Sequence, residues 1–413
     1  LHSDTHSFPT RRSSDLWLAF DRTPLAWDEA IHFLGVRAYA RIWLASGWRI
    51  PLDILAHSDF YPPLHGAVTG LVLAVFGAAP DVAAAFNALL VLGILAGMAV
   101  TARWLGLSAG AGFAALLFAA CAAVGVQSKG VMLDLPLVLW VTWGTAAYVR
   151  SRDLSERSWA LAYGAILGLA LLTKWSGLFF LGLPPVLALA WRWYRGERGG
   201  RAWVNLLLAY GAAALIAGPW YLLHAIAFFK TASGYVVARG VLENDPPLLS
   251  VGAWTYYLAA LIRQASWPLG LLLAAGTLGA ALAGRLRFTW LVWLLLPWLV
   301  LTLIRNKDMR YTLPLLPWFC LFAGAWMADL PRRLGRWVHP TVIVMCVLQL
   351  AYVHLGAAAG PVHAALRRTF LGMPWIDAAT PREASWPQAE VIARTSSHLS
   401  GLARPGILRI IPD

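Results

Sequence analysis

Apolar runs of about 17 to 22 residues recur along this chain between residues 81 and 356. Each is long enough to cross roughly 30 Å of hydrocarbon as a helix rising about 1.5 Å per residue. Stretches such as 81–102 and 338–356 are apolar all round, whereas a barrel strand would alternate apolar and polar positions. The expected fold class is therefore all-α and integral to a membrane. The 413 residues are 59% hydrophobic and only 13% charged, with a mean hydropathy of +0.63, more apolar length than one water-soluble core can hide. The 23 Trp suit aromatic belts at the membrane interfaces.

Ten complete spans are read at 81–102, 107–125, 133–149, 158–173, 176–191, 202–220, 268–284, 289–304, 312–330 and 338–356. Residues 1–15 are polar and abut an apolar stretch abruptly; they read as a translated sequencing adapter, with Leu16 to Phe20 the stump of a truncated first span. Asp21 to Tyr61 is too polar to span and reads as surface helices, and 62–77, opening on Pro62-Pro63, as a re-entrant or interfacial helix. Residues 16–359 form the expected transmembrane domain. Residues 360–413 form an external segment, the truncated start of an α/β module with a helix over 386–402 and a strand-like final run.

Sidedness tests this map. With Asp28 outside, Arg103, the Arg150/Arg152/Arg157 loop, the Arg192 to Arg201 loop, Arg285/Arg287 and Arg332/Arg333/Arg336 all fall on the cytoplasmic side. The net charge of +13 is thereby explained by topology, because the basic residues sit in short loops and form no single nucleic-acid-binding face. Cys121, Cys320 and Cys346 fall inside spans and indicate no disulfide framework.

Cations on the outer side lack that explanation. All four lysines, Lys129, Lys174, Lys230 and Lys307, map there, and Lys307 sits in the cluster Arg305-Asn-Lys-Asp-Met-Arg310-Tyr311 between two apolar spans. Such a cluster at headgroup level can hold a phosphodiester or diphosphate, although interfacial snorkelling is the competing explanation. Asp28-Glu29 and Asp134 map to the same edge, where ionisable groups are costly and point to function, unless they serve as helix caps. Glycosyl transfer needs a carboxylate to take the acceptor proton and cations or a metal to stabilise the phosphate leaving group. His57 and His65 flank Tyr61-Pro-Pro-Leu64 without a third partner, a weak metal signal. The chain has no phosphate-binding glycine loop, zinc-protease motif or nucleophile elbow.

An ordered set of short motifs resembles the GT-C membrane glycosyltransferases of glycosyltransferase family 39, which include protein O-mannosyltransferases and the aminoarabinose transferase of lipid A. It runs Trp27-Asp-Glu29, Tyr61-Pro-Pro-Leu-His65 with Phe76-Gly77, Met132-Leu-Asp134, Leu172-Thr-Lys174, Pro219-Trp-Tyr221, Tyr256-Tyr257 with Trp267-Pro268, and Arg310-Tyr-Thr-Leu-Pro-Leu-Leu-Pro317. The resemblance implies a GT-C helical bundle, a polyprenyl-phosphate sugar donor, an acceptor hydroxyl outside the cytoplasm and inversion at the anomeric carbon. It implies catalytic roles for Asp28, Glu29 and Asp134. Lys174, Arg239, Arg305, Lys307, Arg310, Tyr311, Tyr61 and His65 are implied to contact the lipid phosphate. Two positions depart from the pattern: Tyr61 stands where relatives often carry His or Lys, and Val236-Val237 where some carry a His, which argues against a metal there.

The expected partners are a membrane, a polyprenyl-phosphate sugar and a lipid, glycan or protein acceptor. No cofactor is firmly implied, a divalent metal being an option, and no residue is assigned as its ligand. The expected location is the plasma (inner) membrane, multi-pass, with the site facing the periplasm or exterior. The alternatives are a polytopic transporter or lipid flippase, in which the same charges line a path, and a non-catalytic scaffold. Neither internal repeats nor midplane acids, which a transporter would show, are found.

Overall fold

The computed structural model describes residues 25–376 apart from 26, 59, 198, 356–364, 367, 371 and 372. The expected adapter at 1–15, the first-span stump and the helix and strand of the C-terminal segment lie outside the described residues. Every one of the ten apolar runs is helical. Pro80–Leu105, Gly200–Leu223, Met309–Ala328 and Arg332–His354 are each long and apolar enough to cross a bilayer, and shorter apolar helices such as Arg157–Thr173 and Phe288–Thr302 pack among them. The only sheet among the described residues is a two-residue hairpin pairing Thr369–Phe370 with Met373–Pro374.

Two helices break, one with no proline beside it and one just ahead of Pro268. The expected span 107–125 divides at Cys121 into Ala111–Ala120 and Ala122–Gln127. Val251–Ala265, which lies outside the expected spans, turns through 117° into Trp267–Leu282 at Ser266, whose φ is +101°. Val251–Ala265 escapes a hydropathy reading because it carries Thr255, Arg263 and Gln264 among its apolar residues.

Helices approach closely wherever small residues allow it, the usual means of packing inside a membrane. A Cβ at Gly164 would strike the Ala209 backbone, and Gly110 and Gly324 meet backbone to backbone. Around these seams Tyr148, Tyr163, Trp293 and Trp318 form a buried aromatic centre. Outward faces are apolar instead: Leu207, Leu215 and Leu222 of Gly200–Leu223 are 70%, 81% and 80% exposed, as lipid-facing residues should be. The protein is a multi-pass membrane protein.

The arginine-rich loops meet at one end of the bundle. Trp104 touches Trp159, Arg192 pairs with Asp153 at 3.4 Å, Trp191 stacks on Phe288, and Arg285 pairs with Asp329. The chain thus joins the five positive loops into one basic surface, and the acidic and lysine-bearing motifs gather elsewhere.

Candidate active site

Trp27–Ala45 presents Asp28 and Glu29 in its first turn and His32 one turn later, on the same face. Asp28 Oδ2 accepts from Arg310 Nη2 at 2.9 Å. Arg310 is held from its other side by Asp308, whose oxygens accept from the Arg310 Nε at 3.0 and 2.9 Å and from its backbone N–H at 2.9 Å. Asp308 therefore caps the tight turn Met309–Leu315 while fixing the guanidinium. Burial pushes the Asp308 carboxyl up, but the Arg310 hydrogen bonds and charge outweigh that and hold it below the usual carboxylate range.

A second pair faces the first. Asp134, buried at the start of Asp134–Arg150, accepts from Lys174 Nζ at 2.6 Å. Lys174 occupies the extended residue that ends Arg157–Thr173, and its ammonium also lies 5.2 Å from the centre of the Tyr311 ring. The segment before Asp134 is shaped by Asn87, whose Nδ2 donates to the carbonyls of Ser128 and Gly130 at 3.2 and 2.7 Å. Gly130 lies directly against the Glu29 carboxylate, so a side chain there would push that carboxylate aside. A third pair, Arg239 Nε to Glu243 Oε1 at 2.6 Å, comes from the stretch around Tyr235–Arg239.

These pairs enclose a cavity of about 460 Å³. Asp28, Glu29, Asp134, Lys174, Arg239, Arg310, Tyr311 and Tyr61 all line it. The wall also holds His32, Asp308, Glu243 and the aromatics Phe60, Trp175 and Phe179, none singled out from sequence. His32 had a signal in its spacing of four from Asp28, and Asp308 lay inside the cluster read for its cations. Burial, then the Lys174 charge, drops His32 to about 4, so that it is neutral at physiological pH.

Three expected site residues lie off this wall. His65 is buried in Leu64–Phe76 and shares a hydrogen bond with Thr69 one turn on. Lys307 turns inward: its Nζ donates to the carbonyls of Leu301 at 3.1 Å, Thr302 at 2.7 Å and Ile304, capping Phe288–Thr302, while its backbone N–H donates to Asp245 at 2.7 Å. Burial pushes Lys307 down to about 8. Arg305 packs its backbone against Gly240. Among the described residues no three His, Cys, Asp or Glu side chains converge as a metal-ligand set.

Residues 74–230 match the family described as dolichyl-phosphate-mannose-protein mannosyltransferase. The polyprenol-phosphate-mannose–protein mannosyltransferase of Corynebacterium glutamicum is 26% identical over 248 residues, 49% of this chain and 46% of that protein. The fold is that of the crystal structures of ArnT from Cupriavidus metallidurans, with a TM-score of 0.59 in the apo state and 0.61 when bound to undecaprenyl phosphate. Over the matched stretch the chain is similar to these lipid-phosphate-sugar mannosyltransferases, and its fold is of the GT-C type. Identity to the two ArnT structures is 21% and 22%, over 84% of this chain and 64% of theirs. The chain thus spans under half of the curated mannosyltransferase and just under two thirds of ArnT. The geometry above adds to the fold, because the Asp28–Arg310 and Asp134–Lys174 pairs, drawn from four separate segments, face one cavity.

Proposed function

We propose that the protein transfers a sugar from a polyprenyl-phosphate-linked donor to an acceptor hydroxyl, with inversion, at the outer (periplasmic) face of the plasma membrane. The observation that carries this reading is the joining of Asp28 to Arg310 at 2.9 Å within a cavity that also holds the Lys174–Asp134 pair. A carboxylate and guanidinium in contact supply the two functions that such a transfer needs side by side. The undecaprenyl phosphate carried by one ArnT structure supports a lipid phosphate as the occupant.

In this mechanism Asp28, backed by Glu29, takes the proton of the acceptor hydroxyl. The acceptor oxygen attacks the anomeric carbon while the bond from that carbon to the phosphate oxygen breaks, and polyprenyl phosphate departs with the electron pair. Arg310, Lys174 and Arg239 stabilise the charge that grows on the phosphate, and Asp134 and Asp308 hold Lys174 and Arg310 in place. Tyr61, Tyr311 and the aromatic wall of Phe60, Trp175 and Phe179 shield the site from water. Gathering of the five arginine-rich loops at one end supports the outward orientation of the site.

The test is transfer of radiolabelled sugar from a panel of polyprenyl-phosphate sugars by proteoliposomes of the wild-type protein and of Asp28→Asn. Transfer by the wild type and its loss in the variant, with the variant still binding undecaprenyl phosphate, is the expected result. Lipid flipping without transfer by the wild type would replace the transferase with a flippase.

A further inference from the structure

The two helix breaks are joined by one buried side chain. Gln349, 3% exposed on Arg332–Leu355, donates from Nε2 to the carbonyl of Ala120 and to that of Ala265, both at 2.6 Å, and its Oε1 accepts from Ser266 Oγ at 2.7 Å. Those carbonyls sit where the breaks at Cys121 and Ser266 interrupt their helices. A single carboxamide thus satisfies groups that would otherwise be buried without partners.

Each break leads to the cavity. Beyond Cys121, Ala122–Gln127 ends on Gln127, a wall residue, and continues into the loop that presents Asp134. One residue before Ala265, Gln264 donates from Nε2 to the Met309 carbonyl and to Thr312 Oγ1, the latter at 3.1 Å. Met309 and Thr312 bracket Arg310 and Tyr311. The hydrogen bonds therefore run from Gln349 through Ala265 and Gln264 to the turn that carries the guanidinium.

We propose that Gln349 is a positioning residue for the lipid-phosphate site, holding through Gln264 the turn that aims Arg310 into the cavity. This rests on the reading of the cavity as a lipid-phosphate site. None of the hydrogen-bond partners of Gln349 lines the cavity, so its effect is transmitted through the two buried helix ends that it grips.

The experiment measures the affinity of the purified full chain for undecaprenyl phosphate, beside its thermal unfolding midpoint. Gln349→Met, which keeps the volume and removes the hydrogen bonds, should weaken binding by roughly tenfold. Asn205→Leu is the control. Asn205 is a buried carboxamide at the basic end, donating to the Leu154 carbonyl at 2.7 Å, so its loss should lower the midpoint without changing affinity. Gln264→Met should weaken binding as Gln349→Met does, and the double variant should be no weaker than the worse single one, because the two act in series. Should Gln349→Met not be recovered folded, Gln264→Met against Asn205→Leu carries the comparison. Wild-type affinity in a folded Gln349→Met or Gln264→Met, or additive losses in the double variant, would overturn the inference alone. Absence of saturable binding by the wild type would overturn the lipid-phosphate reading and the inference with it.

Discussion

Asp28→Asn is the most informative single substitution, because the structure sets two of its expected effects in opposite directions. Arg310 already has a carboxylate partner in Asp308, and its Nη2 is shared with Asp28 at 2.9 Å. A phosphate arriving in the cavity competes with Asp28 for that nitrogen. Two unit charges about 4 Å apart attract by about 4 kcal/mol at an effective dielectric constant of about 20. The Arg310 and Asp28 side chains are 29% and 34% exposed, so solvent screening cuts the competition to about 1 kcal/mol. Removing the Asp28 charge should therefore tighten undecaprenyl phosphate binding about fivefold. The same change removes the base and should lower transfer by about 100-fold or more. Binding can be followed by native mass spectrometry of the detergent-solubilised protein, with the affinity difference shrinking as salt rises. Unchanged or weaker binding in a folded Asp28→Asn protein would refute the competition, and would mean that Asp28 serves to hold Arg310 in place.

Further outcomes follow from the surrounding residues. His32 is depressed to about 4 by burial and the Lys174 charge, so the unfolded chain binds its proton more readily. Its contribution to stability is full above pH 6.5 and is lost as pH falls toward 4; thermal midpoints across that window should drop less steeply in His32→Gln than in the wild type. Lys307 caps a helix instead of lining the cavity. Lys307→Met should cost about 1 to 3 kcal/mol of stability while weakening phosphate binding less than Arg310→Gln, a ranking read by chemical denaturation alongside lipid binding.

Much of the site was legible because it breaks composition rules. Ionisable residues at the edges of apolar runs are costly, so Asp28, Asp134, Lys174 and Arg310 stood out, and the structure brings all four to one cavity. Their pairing was not legible. Asp28 and Arg310 are separated by 282 positions, and no periodicity reports a contact across that distance. Lys307 shows the same limit from the other side. It lies three residues from Arg310 in a basic cluster, yet burial of the Phe288–Thr302 end, with carbonyls needing donors, turns it inward.

The sequence by itself determined that this chain is a helical membrane protein, and it located nearly every helix, because a run of apolar side chains can be read without knowing its neighbours. Tertiary structure alone decided the break at Cys121, whereas Pro268 already marks the one beside Ser266. Cys121 is not a helix breaker by type; there Gln349, 229 positions away in sequence, gives the Ala120 carbonyl the hydrogen bond that the broken backbone lacks, and it bonds Ala265 and Ser266 at the second bend as well. Such a bond is a property of proximity, and proximity is settled only when the bundle packs.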